Sequence, residues 1–373
     1  MTLFIDTIGL LSAQSTAPDA VRTVGNNFTR TNRHSNDKGP SGAILTVSPL
    51  ADGGTMVGSR FKTALVLSGG SARALTHLGA LDELLESGIV PDVIVGTSMG
   101  AVIGALFAYY RDMHKVKTAV HGLVESDLFL KTISAASEER ADDDHDGFFN
   151  RFLGLFRKGV YYTHSLTRSA LVPEETYLEI ITDLVPDCSI QELSFKFAAI
   201  AMDPATGEEI VMTRGSLVNA VSASAAIPGI LPQVEYQGRM LVDGGWLDNV
   251  PVAPAIALGA HFVLALDASL DIPGLGPMPT AAIEHVFRCN EITRIRLMQH
   301  RKQHADALVT PRIGETNWSH FSCIDRCSTA GRDAVRKALP QIRSRLFRRK
   351  LRTLGGRIHP GRGKGWKHPF TVY

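Results

Sequence analysis

The sequence predicts an α/β fold with a mainly parallel central sheet and helices on both faces. Two short apolar runs, Ala64-Leu65-Val66-Leu67 and Asp92-Val93-Ile94-Val95, lack polar alternation, and each leads into a Gly-bearing turn and a helical pattern. Strands buried on both faces read this way, and strand–helix–strand–helix order with short turns marks a parallel sheet. The composition agrees, since 44% hydrophobic and 20% charged residues in 373 give an ordinary globular chain with a sizeable core.

Residues 1–60 are rich in Ser, Thr, Asn, Gly and Asp without periodicity, and read as a mobile leader. Met56 would serve equally as a downstream start. The N-terminus lacks a basic region and carries Asp6, so it fits a secretory signal poorly. Order begins at Thr63. After the first strand and Ser68-Gly69-Gly70, Leu75, Leu78, Leu81, Leu84 and Leu85 fall at helical spacing, closed by Gly88. Met99 to Tyr110 is a second helix. Its apolar stretch from Ala101 falls far short of the roughly 20 residues of a membrane span. Phe195–Met202 and Glu209–Thr213 flank Pro204-Ala205-Thr206-Gly207 as a hairpin. His261–Asp267 and Ala307–Pro311 read as further strands, and Gly331–Arg349 as a helix. The expected divisions are a leader (1–60), a catalytic domain (61–268), a helical and strand extension packed on it (269–349) and a basic tail (350–373).

A serine between two glycines, after a buried strand and before a helix, has the pattern of a nucleophile elbow: Gly96-Thr97-Ser98-Met99-Gly100. Gly96 and Gly100 remove side chains that would collide where strand and helix meet. The positive end of the following helix favours negative charge developing at Ser98. Ester hydrolysis also needs backbone N–H groups aimed at an oxyanion. Ser68-Gly69-Gly70-Ser71-Ala72-Arg73-Ala74 is the natural source, and neither a GxGxxG fingerprint nor a Walker lysine supports a nucleotide loop there. A base must lie within reach of the serine. Asp243-Gly244-Gly245 follows the run Met240-Leu241-Val242 and puts a carboxylate at a strand end, where ligand crevices form.

The Gly-rich loop with Arg73, the elbow at Ser98 and the distant Asp243-Gly244-Gly245 together resemble the patatin-like phospholipases. Ala223-Ser224-Ala225-Ala226-Ile227-Pro228 and Trp246-Leu247-Asp248-Asn249-Val250-Pro251-Val252 are similar to further stretches of that family. The resemblance spans about Thr63 to Asp267, more weakly to Phe347. It implies a three-layer sandwich and a Ser–Asp dyad, with Ser98 as nucleophile and Asp243 as proton acceptor. The amides of Gly69, Gly70 and Ser71 would form the oxyanion hole, with Arg73, Gly96, Gly100, Gly244 and Gly245 supporting the motifs. Partial burial that raises the Asp243 pKa would make it a better base. Two positions depart from the family pattern: Ser71 stands where a third Gly is usual, and Ala74 where a Gly follows the basic residue. Ser71 would be strained at positive φ, although its amide remains a donor.

The expected activity is hydrolysis of phospholipid or lysophospholipid acyl esters, with no cofactor and no metal. An acyltransferase on the same elbow, or a catalytically silent membrane-binding protein, stays open. His77 falls inside the first helix and reads as a packing residue. His261, His285 and His300 follow the elbow in sequence but lack a motif for a triad. Asp142-Asp143-Asp144-His145-Asp146-Gly147 begins like a calcium loop and fails at Leu153, where a glutamate is required. Residues 148–158 form an aromatic stripe edged by Arg151, Arg157 and Lys158, either a lid or interfacial helix or a helix packed on the core. From Arg343 to Tyr373 there are ten Lys or Arg and no Asp or Glu. Such a segment gains about 1 kcal/mol per cation at an anionic membrane. The expected partners are a lipid substrate and an anionic membrane surface touched by the 148–158 helix and the tail, with no nucleic acid. Cys323 and Cys327 alone make a poor zinc site, and four cysteines in so long a chain read as reduced cytoplasmic thiols.

Overall fold

The apolar runs become the middle of one sheet. A computed structural model describes residues 43–45, 60–137, 170–276, 278–280, 282–313, 320–354 and 370–373. In chain order the strands are β1 (Ala43–Leu45), β2 (Thr63–Leu67), β3 (Val93–Thr97), β4 (Lys196–Asp203), β5 (Glu208–Met212), β6 (Val234–Tyr236), β7 (Arg239–Asp243), β8 (Phe262–Leu266), β9 (Ala307–Val309) and β10 (Phe370–Val372). The helices are α1 (Thr76–Glu86), α2 (Met99–Tyr110), α3 (Met113–Glu125), α4 (Asp127–Ser137), α5 (Glu174–Leu184), α6 (Leu217–Ala225), α7 (Val252–Ala257), α8 (Ala282–Lys302) and α9 (Ile324–Leu354).

The sheet order is β1-β10-β5-β4-β3-β2-β8-β9, with β7 paired to β4 and β6 to β7. From β4 through β9 the neighbours on this path are parallel, and the β4–β5 hairpin is antiparallel. The sheet is therefore mixed but mainly parallel, as the sequence predicts. Alternation along each strand divides the core. Leu65, Leu67, Ile94, Phe262, Leu264 and Leu266 enter the buried cluster that also holds residues of α1, α2 and α9. Ala64, Val66, Val93, Val95, Val263 and Ala265 enter a second cluster with Val252, Ala253 and Ala255 of α7. Both faces of these strands are apolar because both are covered, and that is why the sequence shows no alternation.

The C-terminal extension is keyed into this core. A Cβ on Gly79 of α1 would lie 1.8 Å from the Ser328 carbonyl oxygen, and one on Gly331 of α9 1.9 Å from that of Thr76. The two backbones thus touch where both residues are glycine. Around this crossing Arg332 pairs with Asp82 and, at 2.6 Å, with Glu86, while Arg336 reaches Glu83 at 2.9 Å. The reading of 350–373 as one basic tail changes at both ends. Residues up to Leu354 continue α9, and Phe370–Val372 is a strand between β1 and β5. Phe370 and Tyr373 are buried, and such apolar termini gain more in the sheet than in water. Within the segment read as a leader, Ala43–Leu45 pairs with that strand. The rest of 1–59, the acidic 142–147 loop, the 148–158 stripe and positions 355–369 lie outside the described residues. Among the described residues no helix is long and apolar enough to cross a membrane.

Candidate active site

Ser98 follows β3, just before α2, with φ 55° and ψ −130°, a conformation that costs a non-glycine residue about 1–3 kcal/mol and persists only where its surroundings enforce it. The enforcement is visible on each side. A Cβ on Gly96 would lie 2.5 Å from the Gly100 carbonyl oxygen, and a Cβ on Gly100 2.3 Å from that of Leu67. Strand and helix can meet this closely only at glycines. The Ser98 N–H donates to Ser224 Oγ at 3.0 Å, and that hydroxyl donates to the Ile200 carbonyl at 2.6 Å. The Ser224 stretch thus acts as a bracket for the elbow, a role its sequence alone does not reveal.

The same stretch positions Asp243. The Asp243 N–H donates to the Ala226 carbonyl at 2.9 Å, and β7 pairs Asp243 with Ala201 of β4. A Cβ on Gly244 would meet the Ile200 carbonyl oxygen at 2.5 Å. Ile200 stands beside Thr97 in the sheet, so one backbone position spaces both halves of the site. The carboxylate is 5% exposed and accepts the Gly245 N–H at 2.7 Å. Burial pushes its pKa up to about 6, opposed by hydrogen bonds from the Gly245 N–H and the Ser98 hydroxyl and by the charge of Arg294.

The Gly-rich loop splits in two. Gly69 donates its N–H to the Asn249 carbonyl at 3.3 Å, and Asn249 Nδ2 reaches back to the Gly69 carbonyl at 3.4 Å. Its amide is therefore engaged, and Gly69 is not in the cavity wall. Gly70 and Ser71 are in that wall, and among the described residues neither N–H has a hydrogen-bond partner. Ser71 sits at φ 48°, the positive value that makes a serine there strained. It opens a 3-10 turn, Ser71–Leu75, that precedes α1, so the helix begins later than the leucine spacing suggests. Arg73 ties that turn to the end of β8 through Nε to the Ala268 carbonyl at 3.0 Å. His77 is fully buried with Nε2 2.8 Å from the Ser68 carbonyl, and burial holds its pKa near about 4. As a neutral imidazole it props the loop from behind.

These elements enclose a cavity of about 110 Å³ whose wall includes Ser98, Asp243 and the apolar Ile227, Trp246 and Leu270. The sequence reading missed Arg294 and Glu291 of α8, which also line it. Arg294 Nε is 3.0 Å from Glu291, and Nη1 donates to the Gly245 carbonyl at 3.3 Å. The one available signal was an acid–base pair three residues apart within a helical segment. Among the described residues no histidine lines the cavity. His261 packs on Phe61 and accepts the Lys62 N–H at the start of β8, the opposite end of the strand from the site. No group of three or more His, Cys, Asp or Glu is placed to hold a metal among the described residues.

A family model described as patatin-like phospholipase matches residues 65–256. An uncharacterised NTE family protein of Mycobacterium tuberculosis is 30% identical over 216 residues, 58% of this chain and 51% of that protein. A patatin-like phospholipase domain-containing protein of Caenorhabditis elegans is 32% identical over 205 residues, 54% of this chain and 13% of that protein. The matched stretch thus spans about half the length of the mycobacterial relative. Among solved structures, VipD from Legionella pneumophila aligns with a TM-score of 0.39 at 14% identity, over 76% of this chain and 67% of that one.

Proposed function

The chain belongs to the patatin-like phospholipase family, and from that premise we propose that it hydrolyses acyl esters of lipids through Ser98 and Asp243. One observation carries this reading. Ser98, on a backbone held at φ 55°, shares one cavity wall with the buried Asp243 carboxylate, whose pKa burial raises to about 6. A carboxylate poised there is ionised at neutral pH, yet a stronger base than an exposed aspartate.

Ser98 Oγ attacks the acyl carbonyl carbon while its proton passes to Asp243. The free amides of Gly70 and Ser71 receive the oxyanion, a narrower donor set than the three residues the family resemblance implies. As the tetrahedral adduct collapses, Asp243 returns the proton to the departing alkoxide. Water, deprotonated by the same carboxylate, then releases the acid from the acyl-enzyme. The apolar wall of Ile227, Trp246 and Leu270 suits an acyl chain. The substrate class is a phospholipid or lysophospholipid.

An anionic membrane surface is the expected place of work. The end of α9 presents exposed Phe347 and Leu351 among Arg343, Arg345, Arg348, Lys350 and Arg352, a face that can dip apolar side chains between lipid headgroups. The cysteines are free thiols, which suits a reducing, cytoplasmic setting.

The test compares wild type, Ser98→Ala and Asp243→Asn on a short-chain ester and on phospholipid vesicles. Both variants should fold and lose at least about a thousandfold in kcat. Esterase activity that survives Ser98→Ala, or a fully active Asp243→Asn, overturns the assignment.

A further inference from the structure

Cys323 and Cys327 form a thiol pair that the proposed hydrolytic chemistry does not use. Cys323 ends a 3-10 turn, Phe321–Cys323, directly before α9 begins at Ile324, and Cys327 lies one helical turn on. Their sulfurs are 3.1 Å apart. The side chains differ in access: Cys323 is half-buried and Cys327 fully buried. Closing the pair needs the sulfurs to approach by only about 1 Å.

The difference in access gives the two sulfurs different roles, and the electrostatics run the same way. The contact with Cys327 lowers the Cys323 pKa to about 6, against burial and with help from Arg326, and raises that of Cys327. A helix N-terminus adds in the same direction for Cys323. Cys323 is therefore the reachable thiolate and Cys327 the sheltered partner. Elsewhere, burial raises the Cys188 pKa, and Cys289 is exposed without a neighbouring cysteine.

The pair also lies against the catalytic loop. The start of α9 and the Phe321–Cys323 turn both pack on the Ser71–Leu75 turn, which carries Arg73. One turn further on, Gly331 is in backbone contact with Thr76, so the interface has no slack to absorb a displaced first turn.

We propose that Cys323 and Cys327 are a redox modification site, oxidised to a disulfide by hydroperoxides, and that the oxidised form holds the Gly70–Ser71 amides out of position. The Cys323 thiolate attacks the terminal peroxide oxygen, the O–O bond breaks, and the alkoxide leaves as an alcohol after taking a proton. The Cys327 sulfur then displaces hydroxide from the Cys323 sulfenic acid, forming the S–S bond and, with the Cys327 proton, water. Two thiols lose two electrons, and one hydroperoxide gains them. The regulatory half of this proposal rests on the hydrolase reading; the disulfide does not.

The experiment treats the full-length chain with tert-butyl hydroperoxide and follows intact mass, thiol labelling and short-chain esterase rate. The expected result is loss of two hydrogen atoms, mapped to one peptide containing both cysteines and reversed by dithiothreitol. Cys327→Ala should stop at a dimedone-reactive sulfenic acid on Cys323, and Cys323→Ser should show neither product. Oxidised wild type should be about tenfold slower, the scale of a small misplacement of catalytic groups. The Cys323→Ser variant should keep its rate through the same treatment. Oxidation confined to Cys289, or Cys323→Ser forming the same product, overturns the site. A mapped disulfide with unchanged esterase rate overturns its effect on the loop. A reduced protein with no esterase activity counts against the hydrolase reading and leaves the disulfide result standing.

Discussion

Two strand-to-helix turns lie side by side at the ends of β2 and β3, and each holds a serine at positive φ. They do so by opposite means. At Ser98 the backbone is locked by Gly96 and Gly100, neither with room for a Cβ, and by the Ser224 hydroxyl on its amide. At Ser71 the ties are indirect: Gly69 on Asn249, Arg73 on Ala268, and an Arg73 N–H to Gly70 carbonyl bond of 3.0 Å. A Cβ on Gly70 would meet its nearest atom, the Ala268 carbonyl oxygen, at 3.1 Å, a tight contact rather than a collision. The elbow has no tolerance, whereas the loop has some at Gly70, though not at Gly69, where a Cβ would meet Asn249 Oδ1 at 2.5 Å. That difference explains how the loop can hold a serine at position 71, while the elbow needs glycine at 96 and 100.

The sharpest way to break the comparison is Gly100→Ala. Its Cβ would meet the Leu67 and Ser68 carbonyl oxygens at 2.3 and 2.5 Å, both backbone atoms that cannot rotate away. We expect a loss of about 3 kcal/mol or more in urea unfolding, together with loss of esterase activity. A variant with the wild-type midpoint would show that the elbow yields after all.

Asp243→Asn probes how much stability the site gives up. The folded carboxylate has a pKa of about 6 because burial penalises its charge. An unfolded aspartate titrates near about 3.9. Between those values the folded chain binds more protons, so stability contributed by the protonated acid is present below the lower value and lost as pH rises through the upper one. Two units correspond to about 3 kcal/mol. The Asn variant should therefore match wild type at pH 4 and exceed it by up to that amount at pH 8, while wild-type turnover rises with pH through about 6. A stability gap that does not change with pH would remove burial as the cause.

Ser224→Ala tests the bracket. It leaves the buried Ser98 N–H without its acceptor, at a cost of about 1–3 kcal/mol. Because the Ser98 backbone is loosened, kcat should fall by about tenfold, with KM nearly unchanged. A larger effect on KM would place Ser224 in substrate binding instead.

What the sequence reveals of this contrast follows from the range of the forces involved. The elbow glycines, the strand runs of β2, β3 and β8, and the helix from Met99 to Tyr110 are local patterns, and the structure places them at or within a few residues of the expected bounds. Ser98 and Asp243 line one cavity. The long-range ties are different in kind. Ser224 reaches Ser98 across the fold, Arg294 enters the cavity from α8, and Gly331 is forced to be small by Thr76 on another helix. None of these has a periodic signature, because each is set by a neighbour distant in sequence. The engagement of the Gly69 amide by Asn249 is likewise invisible until both turns are folded. The three-residue Phe370–Val372 strand is hidden for a related reason: it follows a basic stretch and has no pattern apart from the sheet it joins.

Ser71→Gly should produce the smallest change, and it bears most directly on the loop. A serine at φ 48° carries a left-handed penalty of about 1 kcal/mol. Glycine removes that penalty but frees the unfolded chain, which costs about 0.4–1 kcal/mol. The two nearly cancel, so the unfolding midpoint should stay close to wild type. The peptide N–H is present in either residue, and the Arg73–Ala268 tie does not involve the serine side chain. Turnover of a short-chain ester should therefore change by less than about threefold, since the amide proposed to receive the oxyanion is kept and only its strain is altered. A gain of about tenfold would mean that the strained serine holds the amide away from its productive position. The loop would then prove as exacting as the elbow, and the slack inferred from its looser contacts would not exist.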